Sequence, residues 1–586
     1  MESGFLVAIA ALALVFFPFG ASPFALKQEF ALFLFSAALL YWVHRRGEGN
    51  NLRIAGFAPS VPARLALLFV ASAAVSNLAA RNPPEAWASL SLLALGLLLF
   101  LFGHRRLWSP EFPRRFAATV FWTSFPIAIL GLLQALLPGK FDFGLLALGK
   151  MAAFSTLGNP QFVAAWLVFA IPLYPLMVPP HSGPWSRVRA TTVVLAALAC
   201  LLVTRSASGM LALAAVGVFA LIFRTRRAAS RSIVVSVGLL IPAAAVALGW
   251  FTHTGRGRLM IWGETVLIWL QHAWLGVGLG QYNLHQLEAQ HRFFDLGDWT
   301  ARFHQNASFV LDEHNQYLQI LAEQGIVGLV LFVALVVVIL RGVGQRIADD
   351  PLARALTIAW CGQLVLFLWN APLFYAPMLT LFWITAGILA PAAVTEPATT
   401  TRVLKRAAAL LVGAASVFFW AKVRSGTLER QGDALLEQGP FPAAAARYEA
   451  ALEWVPQSGY VWEKLALAQY FAGDDGAALQ SLAAARQRFG DVGILYLEGE
   501  ILARRRDYAR AVPAFEFIRD AFPQHVTPSF TLGQIFMAQG DDTRAEAEFV
   551  RVLGLPDSKQ NLKLDRRKIA MQKALAFRFL AEIRRH

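Results

Sequence analysis

The chain has 586 residues, 57% of them hydrophobic and 15% charged, with a mean hydropathy of +0.52. That balance excludes a water-soluble globular protein and a disordered one, and places most of the chain in a membrane. The formal net charge of +15 resides mostly in arginines between apolar runs, so it implies no nucleic-acid partner.

Thirteen apolar runs follow one another: 4–20, 29–43, 63–80, 87–103, 116–137, 161–178, 190–204, 209–223, 232–251, 317–340, 354–369, 373–394 and 405–422. They predict about 12–13 transmembrane helices. The first run follows Met1-Glu2-Ser3, without a basic lead or a small-residue cleavage site, and reads as a retained span. Alternate short loops are rich in arginine, as at Arg105, Arg106, Arg114 and Arg115, or Arg224, Arg226 and Arg227. The intervening short loops carry far fewer: Lys27, Arg81, Lys140, Lys150 and Arg205. The excess of positive charge on one side predicts a cytoplasmic N-terminus. The long segment 252–316 and the C-terminal tail then lie outside. Cys200 and Cys361 both sit inside apolar runs and read as buried packing residues.

Two short turns fall on the outer side. One is Ser155-Thr156-Leu157-Gly158-Asn159-Pro160. The other, Thr204-Arg205-Ser206, leaves a guanidinium at membrane depth with no carboxylate nearby in sequence, so it calls for an anionic partner. In the long outer segment, Arg258, Ile261, Trp262 and Thr265 share a face of an amphipathic, interface-lying helix. Gly276, Gly278 and Gly280 read as a flexible turn; without a preceding strand or a βαβ unit, their spacing is no dinucleotide fingerprint.

The stretch His314-Asn315-Gln316-Tyr317 then runs straight into an apolar helix. It sets a titratable ring at the membrane surface, with Gly325 and Gly328 below it to let a neighbouring helix approach. Glu313 can orient that ring or favour the helix start through the dipole. Glu323, two to three turns into the span, needs a hydrogen bond from a neighbouring helix or a polar cavity. Asp295 and Asp298 read as solvated loop charges, and no Asp-x-Asp pair marks a metal site on this side.

Taken singly, Arg258 reads as a snorkelling arginine and His314 as a helix-start residue satisfied by water. Taken together, the cations and hydrogen-bonding groups of separate loops lie on one side and suit a lipid diphosphate. Arginines bind and offset its charge, and a neutral histidine activates an acceptor hydroxyl.

Beyond residue 424 the sequence repeats at 33–34 residues. Pro456, Gly490, Pro523 and Pro556 recur, as do the mid-unit residues Gly439, Gly473, Arg506 and Gly540. A small-then-bulky pair recurs too: Ala444/Tyr448, Ala478/Leu482, Ala511/Phe515 and Ala545/Phe549. The pattern resembles tetratricopeptide repeats, here four units over 428–556 with a basic capping helix from Lys563 to Arg585. Such an array suits a protein partner. The fold class is therefore all-α: a polytopic membrane bundle over 1–424 and an α-solenoid over 425–586.

Four segments, 154–167, 204–215, 257–282 and 313–332, resemble in their order the bacterial O-antigen ligase and polymerase superfamily, which includes O-linked oligosaccharyltransferases. The resemblance implies a GT-C-like glycosyltransferase of the bacterial inner membrane. It would act at the periplasmic face on undecaprenyl-pyrophosphate-linked glycan, with no metal and no cofactor. Lipid A core, a protein or a growing glycan would be the acceptor. It implies that Arg205 and Arg258, with Arg256 as the substitute for Arg258, bind diphosphate and that His314 activates the acceptor. Asn159, Glu313 and Asn315 would support them. Here Arg-Ser-Ala-Ser-Gly stands where the family often has Ser-Arg-Gly.

Two further readings compete. An O-antigen or exopolysaccharide polymerase would use the same residues. A polysaccharide transporter or scaffold would predict symmetry between halves and helices broken at mid-membrane, whereas the polar groups gather at one face.

Overall fold

A computed structural model describes residues 2–16, 26–47, 53–55, 60–104, 108–138, 140–141, 153–224, 250, 252–344, 346–391, 397–399, 401–556 and 566–585. Apart from one antiparallel pair of three-residue strands, Arg53–Ala55 against Pro397–Thr399, these residues form helices and their connections. Eight of the helices are long and apolar enough to cross a membrane: Leu26–His44, Val61–Ala79, Pro83–His104, Phe112–Leu136, Pro160–Met177, Pro184–Val203, Gln316–Val343 and Ala408–Gln438. Ser3–Leu14, Ala207–Phe223, Pro351–Leu366 and Ala376–Leu389 are apolar but shorter. Twelve of the thirteen apolar runs coincide with these helices; the run 232–251 lies, except for Trp250, outside the described residues, as does the start of the expected basic cap at Lys563.

The bundle core is aromatic and aliphatic. Trp166, Trp360 and Trp383 are fully buried, and Phe382 packs between Trp360 and Phe332 at ring separations of 5.2 and 5.9 Å. Pro83–His104 and Ala376–Leu389 meet at Gly103 and Gly387, where neither position has room for a Cβ. Without water to expel, helices in lipid gain from such close backbone contact.

The last membrane helix, Thr401–Gln438, is continuous across residue 424 and supplies the first helix of the tail. Four helix pairs follow the 34-residue period, ending at Asp542–Gly554, and Arg566–Ile583 packs on the final pair. All four small-then-bulky pairs are buried. Each mid-unit turn adopts left-handed backbone: φ is 103° at Gly439, 84° at Gly473, 61° at Arg506 and 75° at Gly540.

The segment 252–316 is a folded layer between membrane bundle and tail. Its helices are His253–Gln271 and Tyr282–Phe294, followed by the 3-10 stretch Asp298–Asn306. Thr252 caps the first helix by accepting the Gly255 N–H at 3.0 Å. Met260, Ile261, Glu264, Thr265 and Ile268 form its buried face.

Candidate functional site

Two glycine motifs lock this layer to the bundle. The helix Gln316–Val343 breaks at Gly325, whose φ of 66° and ψ of −171° are closed to other residues. Segment 273–278 fits into the break. Val277 and Gly278 donate their N–H groups to the Ala322 and Glu323 carbonyls, both at 3.0 Å. Ile326 and Val327 donate to the Ala273 and Trp274 carbonyls at 2.9 and 3.3 Å. Backbone groups orphaned by the break are thus paired, as burial demands. A Cβ at Gly276 or Gly325 would strike the opposing backbone.

The expected flexible turn at Gly276–Gly280 is therefore a rigid clasp, and the close approach at Gly325 is made by a turn of backbone, where the sequence suggested a helix. Glu323 finds the hydrogen bond it needs on the same clasp: its Oε1 accepts the Gly280 N–H at 2.9 Å.

His314 sits directly above, at the start of the broken helix. Its φ is 50°, and Arg205 has φ 53°; they are two of the five non-glycine residues with left-handed backbone among the described residues. Such conformations persist where surrounding contacts over-determine them. For His314 the contacts are those of Asp312. Asp312 Oδ1 accepts the His314 backbone N–H at 2.9 Å and lies 2.9 Å from its Nδ1. With Nδ1 engaged, Nε2 is the ring nitrogen that makes no hydrogen bond among the described residues. Burial opposes ionisation of Asp312, but the His314 hydrogen bonds and the nearby Arg258 charge outweigh it, so its pKa falls below the ordinary value.

The carboxylate that orients the ring is thus Asp312, where the sequence offered Glu313. Glu313 turns inward and is fully buried, with neither carboxyl oxygen hydrogen-bonded among the described residues. Burial first, and Glu323 second, raise its pKa well above the ordinary range.

Asn315 caps the helix, accepting the N–H groups of Tyr317 and Leu318 at 3.0 and 3.1 Å, and donates to the Leu368 carbonyl at 3.1 Å. Beside it the Gln316 N–H reaches the Phe367 and Asn370 carbonyls at 2.8 and 3.1 Å. The Asn370 amide in turn donates to Ser208 Oγ at 3.0 Å, and Ser208 lies 3.1 Å from Ser206. A buried polar hub therefore joins the Arg205 turn to the His314 turn across 109 positions of sequence, counted as 314 minus 205. Asn159 stands further off. It caps Pro160–Ala170 through the Gln161 N–H at 2.8 Å, and the Tyr375 hydroxyl donates to the Leu157 carbonyl of its turn at 2.8 Å.

Arg258 lies on the helix His253–Gln271, close enough for its charge to act on Asp312, and burial lowers its pKa from the ordinary arginine value. Arg256 lies two residues earlier on the same helix, with its Nε buried. No ion pair or hydrogen bond engages the guanidinium of Arg205, Arg256 or Arg258 among the described residues. Arg258, outside any ion pair but near the Asp312 that orients His314, sets a cation by that histidine, an arrangement suited to an anionic substrate.

Residues 192–333 match the family described as O-antigen ligase. This segment of the chain is similar to the O-antigen ligase family. Residues 429–491 and 496–558 match the tetratricopeptide repeat family. With its apolar helices, the ligase domain marks a multi-pass membrane protein whose general activity is glycan transfer. No curated protein matches the chain. The crystal structure of yeast Tom70 aligns at 12% identity and a TM-score of 0.20 over 83% of this chain and 95% of that one, a likeness too slight to carry an argument. The ligase match spans Arg205, Arg258, the glycine clasp and His314 alike.

Sequence reasoning missed Asp312 as the partner of the ring, although an acid two residues before a histidine was the available signal. It also missed a buried set under the arginine helix. Gln286 Nε2 donates to Glu264 Oε2 at 3.0 Å, and burial pushes the Glu264 pKa up to about 8.

Proposed function

We propose that this chain transfers glycan from undecaprenyl pyrophosphate to an acceptor at the periplasmic face of the bacterial inner membrane, as an O-antigen ligase or an O-linked oligosaccharyltransferase does. One observation carries the reading. An Asp312-held imidazole and the half-buried Arg258, which makes no ion pair or hydrogen bond among the described residues but acts on Asp312 through its charge, lie near one another in the ligase-like segment, with the Arg205 turn joined to His314 by the Asn370 hub.

In this reading the arginines hold the diphosphate and offset the charge that grows on it as the glycosidic bond breaks. His314 Nε2 takes the proton from the acceptor hydroxyl as its oxygen bonds to the sugar. Asp312 keeps the ring turned toward the acceptor and stabilises the imidazolium that forms. The bond formed joins acceptor oxygen to the sugar's anomeric carbon, and the diphosphate leaves on the lipid. The acceptor is lipid A core, a protein or a growing glycan; the last would make the protein a polymerase. The tail supplies a surface for a protein partner.

Undecaprenyl pyrophosphate binding to purified protein tests the donor half. Arg205→Ala and Arg258→Ala should each weaken it by about tenfold or more, one lost charge-assisted contact apiece. Unchanged affinity in both would remove the proposed donor site.

A further inference from the structure

The repeat domain is docked against the layer that holds the proposed site. Gln290, fully buried on Tyr282–Phe294, donates from Nε2 to the carbonyl of Ala521 at 2.8 Å, at the end of a repeat helix. The Asn82 amide reaches the Arg488 carbonyl at 3.1 Å, and His291 stacks on Phe517 at 5.1 Å with planes 4° apart. Met260, Leu287, Phe293 and Phe303 share one apolar core with Phe515, Phe522 and Phe530 of the repeats.

From Gln290 the hydrogen bonds continue inward. Gln290 Oε1 accepts from Gln286 Nε2 at 3.2 Å and from the Ser308 N–H at 3.3 Å. Gln286 donates onward to Glu264 at 3.0 Å. Glu264 lies six residues after Arg258 on the same helix, counted as 264 minus 258. Gln286, Gln290 and Glu264 are each 0% exposed, so breaking any link strands a polar group away from water. The chain of contacts runs from a repeat carbonyl to the helix bearing Arg258, without a solvent gap.

We propose that the repeat domain is a working part of the donor site: Gln290 and Gln286 are positioning residues that fix the Arg258 helix against the docked tail. The proposal rests on the reading of Arg258 as a diphosphate ligand. It also implies that a protein bound to the repeats acts on donor binding through this contact.

A double-mutant cycle on the full-length protein in nanodiscs tests it, with undecaprenyl pyrophosphate as the probe. Gln290→Leu should weaken binding by about tenfold in the wild-type background and add less than about twofold on Arg258→Ala, because groups in one network couple. His291→Ala, a milder cut at the same interface, should give a smaller loss with the same non-additivity, and serves where Gln290→Leu does not fold. Equal losses in both backgrounds would mean that the docking acts elsewhere than on Arg258, and would overturn the proposal. So would no loss from either docking variant while Arg258→Ala weakens binding, an outcome that leaves the diphosphate reading intact. No effect from Arg258→Ala itself would remove the diphosphate reading, and the role of the relay with it.

Discussion

Asp312 Oδ1 stands 2.9 Å from His314 Nδ1 and accepts the His314 backbone N–H at the same distance. One carboxylate oxygen therefore fixes both the ring and the left-handed backbone that carries it. Substituting Asp312→Asn keeps the size of the side chain and removes its charge. Transfer in a reconstituted assay should fall by about tenfold to a hundredfold, a fraction of what a general base contributes. Affinity for undecaprenyl pyrophosphate should change little. A rate equal to wild type would show that the ring needs no carboxylate partner.

The glycine clasp predicts a structural failure of a different kind. Gly325→Ala forces a Cβ into the Trp274 backbone at a φ of 66°. The strain is on the order of 1–3 kcal/mol for the backbone alone, before the steric clash is added. Thermal unfolding in detergent should shift down by several degrees, or the protein should fail to accumulate, and Gly276→Ala should do the same. Gly413→Ala, where nothing lies within 4 Å of the added atom, should be neutral. A normal melting curve for Gly325→Ala would contradict the interlocked geometry.

Burial gives the layer a pH signature. Glu264 has its pKa pushed up to about 8 from an ordinary 4.5, with the Gln286 hydrogen bond opposing the rise. Between those values the folded state holds a proton that the unfolded state has released. Its contribution is fully present below pH 4.5 and is lost as pH rises through about 8. Every tenfold difference in proton affinity between the two states is worth about 1.4 kcal/mol, so the full change is several kcal/mol. Glu264→Gln is neutral at every pH and should flatten that decline, so wild type should lose more melting temperature than the variant between about pH 5 and 8. His285, lowered by burial to about 4, contributes with the opposite sign, but equally in both proteins. Parallel slopes would show that Glu264 is ionised in the folded layer.

In the tail, Arg506 fills the mid-unit turn where three other repeats place glycine, at φ 61°. A side chain there costs about 1 kcal/mol relative to glycine. Arg506→Gly should make the tail more resistant to limited proteolysis and raise its unfolding midpoint by a few degrees. Unchanged resistance would mean that contacts of the Arg506 side chain offset the backbone cost.

The sequence displayed whatever is local. Apolar runs located the spans, a 34-residue period located the repeats, and a histidine at a helix start located His314. What stayed hidden depends on distant pairings. Glu323-Gln324-Gly325-Ile326 reads as uninterrupted helix because its interruption is stabilised by segment 273–278, some fifty residues earlier. Glu264 reads as one more polar residue of an interfacial helix because Gln286 sits on another element. Gln290 and Ala521 are 231 positions apart, and no pattern in either segment announces the contact. Asp312 was legible in principle, but Glu313, adjacent to the histidine, was the nearer choice by sequence alone.

The most direct measurement replaces the chromosomal gene by a His314→Ala version at normal protein level and separates cell glycans on one gel with sugar-specific detection. Loss of mature surface glycan, with lipid-linked precursor accumulating outside the membrane, is the predicted result. Long trapped chains would identify a ligase or protein transferase, and single units a polymerase. Mature glycan at wild-type level would contradict the role given to His314 and the transfer chemistry built on it.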